Sequence, residues 1–311
     1  MNRYLPEGSI ISTHENREYI TSVQGLGRAM AEGKILEAMA VMCDGELNIT
    51  VDLCGIKGII PKEEVLYSER EAKDIAVITR VGKAVCFKVM GIETGQDGKP
   101  IAFLSRRAAQ MECMHSYVMS LISGDIIDAR VTHLEQFGAF VDIGCGIVSL
   151  LSIDCISVSR ISHPKDRFTV GMPIKAVVKS IDYDTGRVYV SHKELLGTWE
   201  ENAAAFTVGQ TVAGIVRSVE EYGVFVELAP NLAGLAEVRE GITVGQTAAV
   251  YIKNMIPERM KIKLVIIDAS KGDGRVSAPE YYLPEKKHIN EWIYSPKECP
   301  RKIGSVFEKE I

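Results

Sequence analysis

The sequence predicts a mainly β chain. Three small five-stranded barrels follow one another, joined by helical linkers, with a helical segment before them and an irregular tail behind. Three observations lead there. The segment Gln136-Phe137-Gly138-Ala139-Phe140-Val141-Asp142-Ile143-Gly144 reads as a strand, a bend at Gly138 and a return of alternating apolar and polar residues. It recurs as Glu221-Tyr222-Gly223-Val224-Phe225-Val226-Glu227-Leu228 and, faded, as Glu46-Leu47-Asn48-Ile49-Thr50-Val51-Asp52-Leu53. Aligned on Asp52, Asp142 and Glu227, the copies stand 90 and then 85 residues apart, so the chain is a three-unit array. Each unit has room for five short strands with glycines at bends. A flat sheet that small would leave its edges unpaired, and closure into a barrel removes them.

Residues 1–33 read as an extended start and then a helix, with Ser12-Thr13-His14-Glu15 as a capping box and Gly33 as the stop. The first unit, 34–107, ends in strands over 84–92 and 100–105 around the turn Thr94-Gly95-Gln96-Asp97-Gly98. Residues 108–123 lack proline and glycine and space Met111, Met114, Val118 and Leu121 for a linker helix. The second unit, 124–193, is the best formed. Ile127, Ala129 and Val131 alternate with polar residues, and strands over 174–181 and 187–191 flank the turn 182–186. Within its loop, His163-Pro164 suits fixing the chain better than binding a ligand. A second linker helix over 194–206 carries Trp199, with Leu195 and Leu196, as a packing residue. The third unit, 207–268, has a trimmed central loop after Gly234. The tail, 269–311, sets Pro279, Pro284, Pro296 and Pro300 among charges, with Trp292 and Tyr294 as its sticky points.

Composition narrows the function. Hydrophobic content of 46% and charged content of 25% are ordinary for a soluble globular chain. No apolar run reaches the length of a membrane span, and the N-terminus lacks an apolar signal core. Seven cysteines with no C-x-x-C pair argue against a disulfide framework and for a reduced, cytoplasmic setting. The net charge of −5 argues against tight, sequence-blind binding to duplex nucleic acid. No enzyme is indicated. Cys113 and His115 would face apart on a helix, and no cofactor or metal site emerges. Gly27 to Gly33-Lys34 imitates a phosphate-binding loop but has the wrong spacing, and Ile35 stands where a hydroxyl should follow.

The run Gly138-Ala139-Phe140-Val141-Asp142-Ile143-Gly144, with Val170-Gly171, Ser180-Ile181-Asp182 and Val190-Ser191-His192-Lys193, resembles the S1 domain, a five-stranded OB-type barrel. The resemblance is strong over 124–193 and clear over 208–268. Over 35–107 it rests on Val51-Asp52-Leu53, Gly58-Ile59-Ile60-Pro61 and Leu104-Ser105-Arg106. The repeat arrangement is similar to shortened ribosomal protein S1-like forms of Gram-positive bacteria. The resemblance implies an RNA face of two aromatics, a histidine after them, and an acid and a base near the last turn. In the second unit Phe137 and Phe140 match the aromatics, and Asp182 and Arg187 match the acid and base. Ser152 stands where the histidine belongs. In the third unit Tyr222 and Phe225 match the aromatics, Glu237 takes the histidine place and Lys261 is nearest to the base. The first unit has Leu47, Thr50 and Pro61 at these positions.

Exposed rings on a barrel face offer stacking surfaces to unpaired bases. Arg187, Arg130 and Lys193 would supply positive charge for the backbone, and a strand with unpaired bases suits such a face better than a duplex. Each residue also has a plain alternative: Phe140 and Phe225 as core, Asp182 as a turn-forming aspartate, Arg187 as a solvated strand residue. The resemblance implies a non-enzymatic protein that holds single-stranded RNA, messenger RNA above all, at the small ribosomal subunit, with neither a membrane nor a small-molecule substrate as partner. The second unit would be the main reader, the third would assist, and the first unit with the N-terminal helix would dock. The alternative is a protein-interaction scaffold on the ribosome or an RNA-processing enzyme, touching RNA weakly.

Overall fold

A computed structural model describes residues 4–67, 73–272 and 276–307. The first three residues of the N-terminal segment, and 273–275 and 308–311 of the tail, lie outside the described residues. Among the described residues the strands close into three five-stranded barrels, as the sequence predicts. The chain divides into two compact units. One comprises 1–121, 128–130 and 142–148, and the other comprises 122–127, 131–141 and 149–311.

The first unit opens with two helices, α1 (His14–Ile20) and α2 (Val23–Glu32), where the sequence predicts one. Ser22 divides them: its backbone is extended and its hydroxyl accepts the Gly25 N–H at 3.0 Å, starting a new helix. The cap of α1 is Thr13 rather than Ser12, accepting from the Asn16 N–H. Glu15 pairs with Lys34 instead of closing a capping box. Gly33 ends α2 in the left-handed conformation, as predicted. The first barrel then forms from β1 (Leu36–Cys43), β2 (Ile49–Leu53) and β3 (Ile56–Ile60), followed after α3 (Asp74–Ile78) by β4 (Ala84–Thr94) and β5 (Pro100–Ser105). Around the ring the order is β1-β2-β3-β5-β4. Tyr19, Ile20, Leu26 and Ala29 share one core with the barrel residues Ala38, Val51, Phe87 and Leu104, so the two helices are part of this body. The first linker helix, α4 (Arg106–Ser116), starts earlier than predicted because Ser105 caps it, and stops earlier, at Tyr117.

The second barrel consists of β6 (Ile126–Glu135), β7 (Gly138–Asp142), β8 (Val148–Ser152), β9 (Pro173–Asp182) and β10 (Arg187–Ser191). Its strands follow the order β10-β8-β7-β6-β9, with β8 and β10 parallel. The 194–206 segment is not one helix. A 3-10 turn over Lys193–Leu196 halts at Gly197, whose φ of 80° favours glycine and whose Cβ would stand 2.7 Å from the Tyr282 ring. Thr198 then caps α5 (Trp199–Ala203) through a capping box with Glu201. Leu195, Trp199 and Ala203 join the core of the third barrel, the packing role the sequence suggests for Trp199.

That barrel has β11 (Thr211–Glu220), β12 (Gly223–Ala229), β13 (Leu232–Ala236), β14 (Thr247–Ile256) and β15 (Lys261–Ser270), in the order β11-β12-β13-β15-β14. The tail is more ordered than its proline content suggests. Strands β16 (Glu291–Ile293) and β17 (Gly304–Val306) pair, and Ile289, Trp292, Tyr294 and Phe307 are buried in one cluster with the core residues of the third barrel. The two sticky points are anchors.

Candidate nucleic-acid interface

The bend between β6 and β7 turns on Gly138. A Cβ there would lie 2.5 Å from the Leu151 carbonyl oxygen, so β7 can press against β8 only without a side chain at this point. Gly223 repeats the arrangement: its Cβ would lie 2.7 Å from the Ala236 carbonyl oxygen. From this bend the pleat alternates, sending Val141 and Val226 inward and the aromatic rings outward.

Phe137 is 56% exposed and Tyr222 71% exposed, while Phe140 and Phe225 are half-buried. The two pairs have nearly the same geometry. Phe137 and Phe140 meet edge to face at 6.0 Å and 88°, and Tyr222 and Phe225 at 6.1 Å and 86°. None of the four is core in the sense of the plain alternative. The first barrel has no counterpart: Leu47 sits at a positive φ in the turn before β2, and Thr50 is half-buried. Exposed there instead are Met39, Val41 and Met42 of β1.

The remaining predicted residues divide. Asp182 lies in the β9–β10 turn, where it accepts the Asp184 and Thr185 N–H groups and the Thr185 hydroxyl. Those bonds hold its carboxyl below the usual range, and Arg187 adds to the effect. Arg187 is exposed and stands opposite Asp182 in register. Ser152 bonds the Asp154 side chain, which the serine hydroxyl holds below the usual range with help from Lys179 and Lys193. Lys193 donates to the Asp154 carbonyl at 3.3 Å, so Ser152 and Lys193 are brought to one place. Lys261 is exposed at the start of β15, and Glu237 is exposed just past β13. Arg130 is the exception. It is half-buried, its Nε is buried, and its guanidinium carbon lies 3.8 Å from where a Cβ on Gly8 would stand, so part of the side chain packs against that glycine.

Sequence reasoning missed His133, Lys179, Tyr189 and Lys263. His133 stacks on Phe140 at 6.3 Å and 26°, with Nε2 2.6 Å from Glu135. Strict alternation along β6 would turn it inward with Val131. In β11, however, the register shifts between Val216 and Ser218, and Ser218 stands opposite Phe225. Burial along β6 breaks its alternation at the matching residues, Thr132 and His133, as a bulge would. Tyr189 and Lys263 needed only the period of two: each stands two residues beyond a predicted base, on the same face. Among the described residues, no group of three or more His, Cys, Asp or Glu side chains is set to hold a metal.

Residues 120–193 match the family model of the S1 RNA binding domain. This is an S1-domain protein. Its curated relatives include small ribosomal subunit protein bS1 of Staphylococcus aureus (strain COL), 30% identical over 75% of this chain and 58% of the relative. The same protein of Leuconostoc lactis is 27% identical over 83% of this chain and 58% of the relative. This S1-domain protein thus spans a little over half the length of those relatives. Among solved structures, a multidomain protein with nucleic acid binding domains from Streptococcus pneumoniae TIGR4 is 16% identical. That likeness covers 76% of this chain and 74% of that one, with a TM-score of 0.25. The S1 match falls on the barrel that carries Phe137, Phe140 and Tyr189. No helix among the described residues is long and apolar enough to cross a membrane.

Proposed function

We propose that this protein binds single-stranded RNA by stacking unpaired bases on the outer faces of its second and third barrels. The observation that carries the reading is the repeated aromatic pair, one ring exposed and one half-buried, edge to face at the same bend of both barrels. Base stacking on such rings tolerates any sequence and requires unpaired bases. Messenger RNA is the natural single strand for a chain whose relatives are small ribosomal subunit proteins, and the same likeness supports a place at the ribosome in the cytoplasm. The second barrel (124–193), with its rings, Arg187 and Lys193, is the main reader. The third (207–268) assists through Tyr222, Phe225 and Lys261. The helical segment (1–33) and first barrel (34–107), which lack the rings, dock. The linkers (108–123 and 194–206) and tail (269–311) are structural. The role is binding without catalysis.

One observation favours a second reading, a protein scaffold with weak RNA contact: Met39, Val41 and Met42 leave an apolar strip on the first barrel of an acidic chain. Titration of the full chain with an unstructured RNA at several salt concentrations separates the two. The stacking account predicts firm binding with a log–log salt slope shallower than about −5, the value for roughly seven phosphate contacts on a single strand. Absence of binding at low salt supports the scaffold, and a steeper slope means the backbone charges, not the rings, hold the RNA.

A further inference from the structure

We propose that Tyr189 is a third stacking position on the second barrel, so that its face receives an unpaired strand across β7, β8 and β10 and not at the hairpin alone. The inference rests on the RNA-binding reading and extends its site.

The placement follows from register. Tyr189 stands beside Leu150 in the parallel β10–β8 pairing. On the other side of β8, the Ile153 N–H donates to the Phe137 carbonyl and the Ile143 N–H to the Ile147 carbonyl. Those two bonds fix the antiparallel register and set Phe140 opposite Leu150. Phe140, Leu150 and Tyr189 therefore form one row over three neighbouring strands, two strand spacings or roughly 10 Å from end to end. Leu150 is half-buried and gives the row an apolar floor between two rings.

Tyr189 has no place in the core. Val188 and Val190 on either side of it point inward and are buried, while Tyr189 itself is 39% exposed. Its partner on β9 is Ser180, small and exposed, which leaves the ring open on that flank. Arg187, two residues before it, is exposed on the same side and near enough to meet the phosphates of a base stacked on the tyrosine.

The third barrel shows what the position does when the ring is replaced. Phe225 stands opposite Leu235, and Leu235 beside Lys263. The row is the same, with a cation where the second barrel has tyrosine. The second barrel thus adds a base platform and the third adds a phosphate contact. This gives the second barrel the longer stacking footprint of the two.

The test uses the full chain with Tyr189→Ala, Tyr189→Phe, Tyr189→Lys and, as reference, Phe140→Ala. Each is titrated with oligouridylates of increasing length, and its thermal unfolding is recorded. Tyr189→Ala should weaken binding of the longer oligomers about five- to 150-fold, the range for one lost stacking contact, with the unfolding temperature kept. Tyr189→Phe should stay close to the parent, since the ring and not the hydroxyl acts. Tyr189→Lys should recover part of the loss with a steeper salt dependence. If Tyr189→Ala binds like the parent while Phe140→Ala loses affinity, the inference falls and the RNA-binding reading stands. If neither variant changes affinity, both fall. Equal losses in Tyr189→Ala and Tyr189→Phe would overturn the stacking role.

Discussion

Phe137 and Phe140 flank a bend that needs glycine at 138, where a Cβ would stand 2.5 Å from the Leu151 carbonyl oxygen. A short sequence word thus carries both the backbone turn and the chemistry placed on it, which is why the aromatic pair is legible in the sequence. The residues beside it were less so. His133 reaches Phe140 because β6 breaks its alternation, and Arg130 is half-buried with its guanidinium beside Gly8. A period-of-two reading has no access to either event. The residue scale also yields a pH prediction. His192 is fully buried, its Nδ1 bonded to the Ile156 carbonyl and its Nε2 3.3 Å from the Tyr281 hydroxyl, with Phe168 edge-on and Arg167 adding positive charge. Burial, with Arg167, pushes its pKa down from 6.5 to about 4. The folded state then binds fewer protons than the unfolded chain between these values. The stabilisation it contributes is complete above pH 6.5 and is lost as the pH falls toward 4, with a slope approaching about 1.4 kcal/mol per pH unit. Denaturant unfolding of the parent and of His192→Gln between pH 4 and 7 should show a component of the parent's acid loss missing in the variant. Parallel curves would place the acid sensitivity elsewhere.

At the level of elements, the three barrels could be read from repeats and alternation, whereas the segments between them could not. The N-terminal helix divides at Ser22 and the second linker divides at Gly197, because a single hydroxyl cap or a single glycine at positive φ outweighs a run of otherwise helical residues. The tail shows the limit most clearly. Its prolines and charges read as irregular chain, yet Trp292, Tyr294 and Phe307 are buried in one cluster with the third barrel's core residues, a long-range contact that local pattern cannot report. Trp292→Ala should therefore behave as a core deletion, costing about 3–5 kcal/mol of stability. Chemical denaturation followed by far-ultraviolet circular dichroism checks this. A loss below about 1 kcal/mol would mean that the tail rests on the barrel without supporting it.

Across the whole molecule, the chain is built by repetition with variation. One barrel type is written three times: once with two rings and a tyrosine row, once with two rings and a lysine row, and once with neither aromatic at the hairpin. The acidic balance of the chain, −5 overall, is consistent with affinity drawn from stacking more than from charge. On the proposed reading the rings at the bend form a face open to RNA and are not part of the core. That reading is tested most directly by measuring RNA affinity and thermal unfolding together on full-chain Phe137→Ala and Phe140→Ala. Each variant should keep its unfolding temperature and lose about five- to 150-fold in affinity for unstructured RNA. A large drop in unfolding temperature with near-parent affinity in the molecules still folded would contradict that reading and place the rings inside the barrel.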